Sequence, residues 1–134
     1  MRTPEAVNVN VSQPIGRYSD AVRVPAGLDT IVVSGTPGVR RDGSVPTDIT
    51  DESTQAWKNV ETALARAGAR LGDIVSVRQW LTASDDIPAY LAVRARFLGH
   101  EPASMLAVVQ ALVRPESRVE IEVVAAVPGP GAKG

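Results

Sequence analysis

Apolar and polar residues alternate strictly in "VNVNV", residues 7–11, the period of a strand with one buried face. "YSDAVRV", residues 18–24, reads as a second strand, closed by the turn residues Pro25, Gly27 and Asp29. The β-branched run "TIVVSG", residues 30–35, predicts a buried strand. A loop follows, punctuated by Pro37, Gly38, Asp42, Gly43 and Pro46. The period then lengthens. Ala56, Val60, Ala63, Leu64 and Ala67 share one helical face, with Thr50 or Asp51 as the cap and Gly68 and Gly72 bracketing the end. "DIVSVRQWLT", residues 73–82, returns to alternation: Ile74, Ser76, Arg78 and Trp80 on one face, Val75, Val77, Gln79 and Leu81 on the other. Ser84 to Asp86 offer caps for a second helix, with Pro88 in its first turn. Tyr90, Val93 and Phe97 point inward on it, Arg94 and Arg96 outward, and Gly99 stops it. The strands "MLAVVQALV", residues 105–113, and "RVEIEVVAAV", residues 118–127, complete the pattern.

The order β-β-β-α-β-α-β-β predicts a two-layer α+β domain with both helices on one face of the sheet. The other face mixes apolar groups with Glu120, Glu122 and Trp80. A face that is half apolar is commonly covered, often by another subunit. Residues 1–127 are read as a single domain and 128–134, rich in Gly and Pro, as a flexible tail.

Composition narrows the chemistry. The chain has 134 residues, 14 basic and 15 acidic, with a formal net charge of -1. No basic excess points to nucleic acid and no charge block to a membrane surface. The absence of cysteine removes disulfides and thiol catalysis. With one histidine, His100, no histidine cluster can bind a metal within one chain, and His100 is read as a surface or loop group. The N-terminal segment has no signal-peptide pattern and no apolar stretch is long enough to span a membrane, so a cytoplasmic protein is expected. Phosphate-loop, dinucleotide-binding and metalloprotease motifs are all missing. Glu120 stands out because it sits mid-strand, where Val or Thr is favoured. It either pairs across strands in water or faces a cleft. Beside Glu122 and partly buried, it would have its pKa raised toward the range a general acid or base needs.

Four segments in order, "IGRYSDAV", "VVSGTPGVRRDGSVP", "QAWKNVETALARAGARLGDIVSVRQWLT" and "EPASMLAVVQALVRPESRVEIEVVAAV", resemble the Rid family, also called YjgF. The resemblance spans residues 15–127. It implies a chorismate-mutase-like domain that forms a homotrimer, with small-molecule clefts between subunits and no metal or cofactor. It implies hydrolysis of enamines and imines to 2-oxo acids and ammonia. Tyr18, Ser34, Gly35 and Glu120 match family site positions, Glu120 as the group that positions water. The family's carboxylate-gripping arginine is replaced by Ser104 in "PAS". Its asparagine and cysteine positions carry Leu91 and Leu106.

A guanidinium is a planar fork matched to a carboxylate, whereas serine offers one uncharged donor. Binding of 2-imino acids by the usual route is therefore expected to be weak. Arg78 and Arg114 are the candidate substitutes. Ile87, Leu91, Met105 and Leu106 would line a less polar cleft suited to a neutral or largely apolar ligand. Two readings follow. One is a hydrolase, or a cyclisation or condensation catalyst, acting on imines or enamines through Glu120, Ser104 and Tyr18. The other is a non-catalytic binding or regulatory protein. Ribonuclease activity, known for some relatives, ranks third for want of a basic groove.

Overall fold

The computed structural model describes residues 2–129. A four-stranded sheet carries the fold. Its strands are β3 (Leu28–Pro37), β4 (Ile74–Leu81), β5 (Ala103–Val108) and β6 (Val119–Pro128), in the order β3-β6-β4-β5. The β3–β6 and β6–β4 pairs are antiparallel and β4–β5 is parallel. A separate ribbon pairs β1 (Glu5–Val7) with β2 (Ala21–Arg23). Helices α1 (Ile49–Arg66) and α2 (Ile87–Phe97) pack on one sheet face, as the pattern predicts.

The "VNVNV" expectation fails beyond Val7. Val9 and Val11 are 65% and 60% exposed. Alternation had no apolar layer to meet, and a competing acceptor took the backbone. The Asp20 carboxylate accepts from Val9 N at 2.6 Å and Ser12 N at 2.7 Å, gathering residues 9–12 into a loop. The second expected strand shrinks to β2. The "MLAVVQALV" strand starts earlier, at Ala103, and ends at Val108; Val113 beyond it is 96% exposed. β6 runs through Pro128, the first residue of the expected tail, and residues 130–134 of that tail lie outside the described residues.

The cap of α1 is Asp48, two residues before the expected Thr50. Its Oδ1 accepts from Thr50 N at 2.8 Å and Asp51 N at 3.1 Å. Gly68 ends the helix at φ 91°, and Ala69 N donates to Leu64 O at 2.8 Å, a left-handed stop as expected. The buried face of α1 is rotated from the expected stripe. Ala63 and Ala67 are exposed, while Glu52, Ser53 and Trp57 are buried with Ala56, Val60 and Leu64. The large indole decides the rotation: Trp57 is fully buried and stacks on Phe97 of α2, ring centroids 6.0 Å apart. Glu52 is tolerated there because Arg118 N and Nε donate to its carboxylate at 2.7 and 3.1 Å.

Inward residues of the sheet, among them Val77, Leu81, Val119, Ile121 and Val123, meet the helices in one core. On the opposite face lie Trp80, Glu120, Glu122 and Val124, half-buried, and Val32, 75% exposed.

Candidate active site

The expected site residues fall into two groups on opposite faces of the sheet. The first is built by a bulge. The β3–β6 register passes from Val33 opposite Val123 to Thr36 opposite Ile121, so Ser34 and Gly35 together face Glu122. Glu120, opposite Trp80 and Pro37, lies on the uncovered face. Its carboxylate rests against the bulge so closely that a methyl group on Gly35 would stand 2.5 Å from Oε2. That approach is why the position is glycine. Among the described residues Glu120 has no hydrogen-bond or ion-pair partner, and it is half-buried. Glu122 pairs instead with Arg78, Nη1 to Oε1 3.6 Å.

The second group lies beside α2 and the β5 edge. Ser104 is paired with Val77 and Leu106 with Gln79, which places both on the helix side. A cavity of about 490 Å³ opens there, lined by Tyr18, Ile87, Leu91, Ser104, Met105 and Leu106. Tyr18 reaches it because the segment before β2 is strapped to the start of β5. Ser19 N donates to Pro102 O at 3.1 Å, Ser19 Oγ donates to Glu101 O at 2.6 Å, and Ser19 bridges Ala103.

Sequence reasoning missed Gln79. It is fully buried in the strand beneath the cavity, and its Nε2 donates to Ser104 Oγ at 3.0 Å and Met105 O at 2.7 Å. Tyr90 Oη donates to Gln79 Oε1 at 2.6 Å, and burial pushes the Tyr90 phenol up from its ordinary pKa, so it stays a neutral donor. Ser104 Oγ is therefore an acceptor toward Gln79, and its own proton is free for a ligand. The signal was an amide at an inward position of an apolar strand.

Arg94 corrects another expectation. It does not look outward: it is 8% exposed and lines the cavity. Arg78 and Arg114, the candidate substitutes for the missing arginine, do not border it. Arg78 lies on the opposite face, and Arg114 pairs with Glu116 at 2.8 Å. His100 is half-buried, its Nε2 donating to Ile74 O at 2.8 Å. Among the described residues no helix is long and apolar enough to cross a membrane.

Two helices on one face of a mixed sheet, with site groups at a β3 bulge and beside α2, define the class. The chain matches the family model described as Endoribonuclease L-PSP over residues 9–127, and it belongs to that family, the YjgF/Rid family. It is 35% identical over 112 residues to a 2-iminobutanoate/2-iminopropanoate deaminase of Dermatophagoides farinae, covering 82% of this chain and 85% of the relative. It is 36% identical over 122 residues to the Mus musculus protein of the same name, covering 89% and 87%. The crystal structure of YyfB from Yersinia pestis, a Rid-family protein of unknown function, superposes with a TM-score of 0.81 at 27% identity, over 94% of this chain and all of that one (100%). The E. coli YjgF gene product superposes at 0.68 with 30% identity, over 83% and 88%.

Proposed function

We propose that the chain hydrolyses small imines or enamines in a cleft assembled between copies of itself, in a homotrimer. The observation that carries this reading is the division of the site. Glu120 with its bulge lies on the sheet face that no other described element covers, while Ser104 with Tyr18 lines an open cavity beside α2 at the β5 edge, on the other face. Neither half is a complete site. A rotational assembly that lays the uncovered face of one copy against the β5 edge of the next joins them. The names of the deaminase relatives support the reaction type.

In the joined site Glu120 takes a proton from water as the water oxygen attacks the imine carbon. The C=N electron pair moves to nitrogen, which is protonated. The tetrahedral carbinolamine then collapses to the carbonyl product, and the nitrogen leaves as ammonia. Ser104 Oγ and the Tyr18 hydroxyl are the available donors for the polar atoms of that intermediate. With serine at position 104, no fork grips a carboxylate beside the reacting carbon, and the ligand is held by its body against Ile87, Leu91, Met105 and Leu106. That apolar lining also favours the second reading, a binding protein that performs no chemistry.

Ammonia release from imines generated in place tests the proposal, comparing 2-imino acids with carboxylate-free imines. Turnover is expected with a preference against short 2-imino acids. Glu120→Gln should lower it at least about a hundredfold, the usual contribution of a general base. Full activity in that variant contradicts the role of Glu120. No turnover of any imine, with saturable ligand binding retained, leaves the binding reading.

A further inference from the structure

Arg94 is out of place by the ordinary rules of burial. It is 8% exposed, its Nη2 is sealed from solvent without a hydrogen-bond partner, and its guanidinium has no ion pair among the described residues. A buried charge of this kind is costly unless something pairs with it. The last turn of α2, where Arg94 sits, supplies part of that compensation through the negative end of the helix. It does not supply an acceptor for the guanidinium fork. The cavity adds no carboxylate either. Its charged lining is Arg94 and the exposed Arg17, close enough to Arg94 to disfavour its charge, and His100 borders it too. Arg94 and Arg17 therefore bring positive charge to a cavity whose lining around Leu91, Met105 and Leu106 is apolar.

We propose that Arg94, assisted by Arg17, is an anion-binding site for the ligand's carboxylate, reached through the cavity from the α2 side and not from position 104. The ligand is then an organic acid with an apolar body, its carboxylate on Arg94 and its other end toward Ser104. The neutral ligand expected from the loss of arginine at position 104 gives way to an anionic one bound in a different orientation. Arg94 follows Leu91 by three residues on α2, one helical turn, so both face the same ligand. This inference rests on the cavity being the ligand site and not on any reaction taking place there.

Hexanoate and hexanamide, matched in shape and differing in charge, are suitable probes in calorimetric titration of the full chain. Hexanoate should bind at millimolar concentration or tighter and at least tenfold better than the amide. Arg94→Gln should remove that preference, Arg94→Lys should keep part of it, and added salt should weaken it. Equal affinity for acid and amide on the unmodified protein, or no saturable hexanoate binding, overturns the proposal whether or not the variants fold. An Arg94→Gln protein of unchanged fold that still prefers the acid also overturns it. Hydrolysis is not read in this titration, so failure of the catalytic reading leaves its outcome intact.

Discussion

Single side chains decide more of this structure than their positions suggest. Asp20 organises the loop that Val9 to Ser12 form, and those backbone N–H groups, Val9 first, hold its carboxyl below the usual aspartate range. Its folded-state pKa lies under the unfolded one. Its contribution is thus complete above about pH 4 and is lost as the pH falls through the folded value. Amide exchange at Val9 and Ser12 should accelerate on acidification in that window, relative to amides in β6, and Asp20→Asn should show the faster exchange already at neutral pH. Glu52 acts on the core instead. Truncating it to Ala leaves the backbone N–H groups of Arg118 and Val119 without their acceptor and should cost about 1–3 kcal/mol, read from denaturant unfolding. A loss well under about 1 kcal/mol would mean that these hydrogen bonds contribute little. Neither role was legible from spacing. A glutamate in the first turn suits the positive end of a helix, and only the rotation of α1 imposed by Trp57 turns it inward.

At the scale of elements, local pattern was informative wherever an apolar layer stood opposite it. β4 and β6 alternate against the helices and lie where the sequence places them, whereas β3, expected as a buried strand, lies at the sheet edge with Val33 buried and Val32 75% exposed. β1 ends at Val7 because the rest of "VNVNV" has no layer to cover. Arg94 was misread because it lies between the inward positions Tyr90, Val93 and Phe97, and a helical period cannot show that a cavity opens beside that stripe. The β3 bulge is the element on which the proposed chemistry turns. Gly35→Ala places a methyl group within 2.5 Å of Glu120 Oε2. The flexible carboxylate can swing away at small cost, so the melting temperature should change little while turnover falls markedly. Unchanged turnover in this variant would show that the carboxylate need not rest on the bulge.

For the whole molecule, the uncovered sheet face and the β5 edge are the surfaces that a single chain leaves unfinished. Tyr18, Ser34, Gly35, Ser104 and Glu120 are candidates through resemblance alone, and their division between two faces was not legible, since sheet order cannot be read from spacing. The central proposal is that one site draws on two copies. Mixing two inactive variants tests it directly. Glu120→Gln disables the bulge half, and Leu91→Trp fills the cavity half. Co-refolded at equal amounts, they should regain about a quarter of normal turnover, because one junction in four of a head-to-tail ring joins two intact halves. A mixture no more active than either variant alone would contradict the shared site.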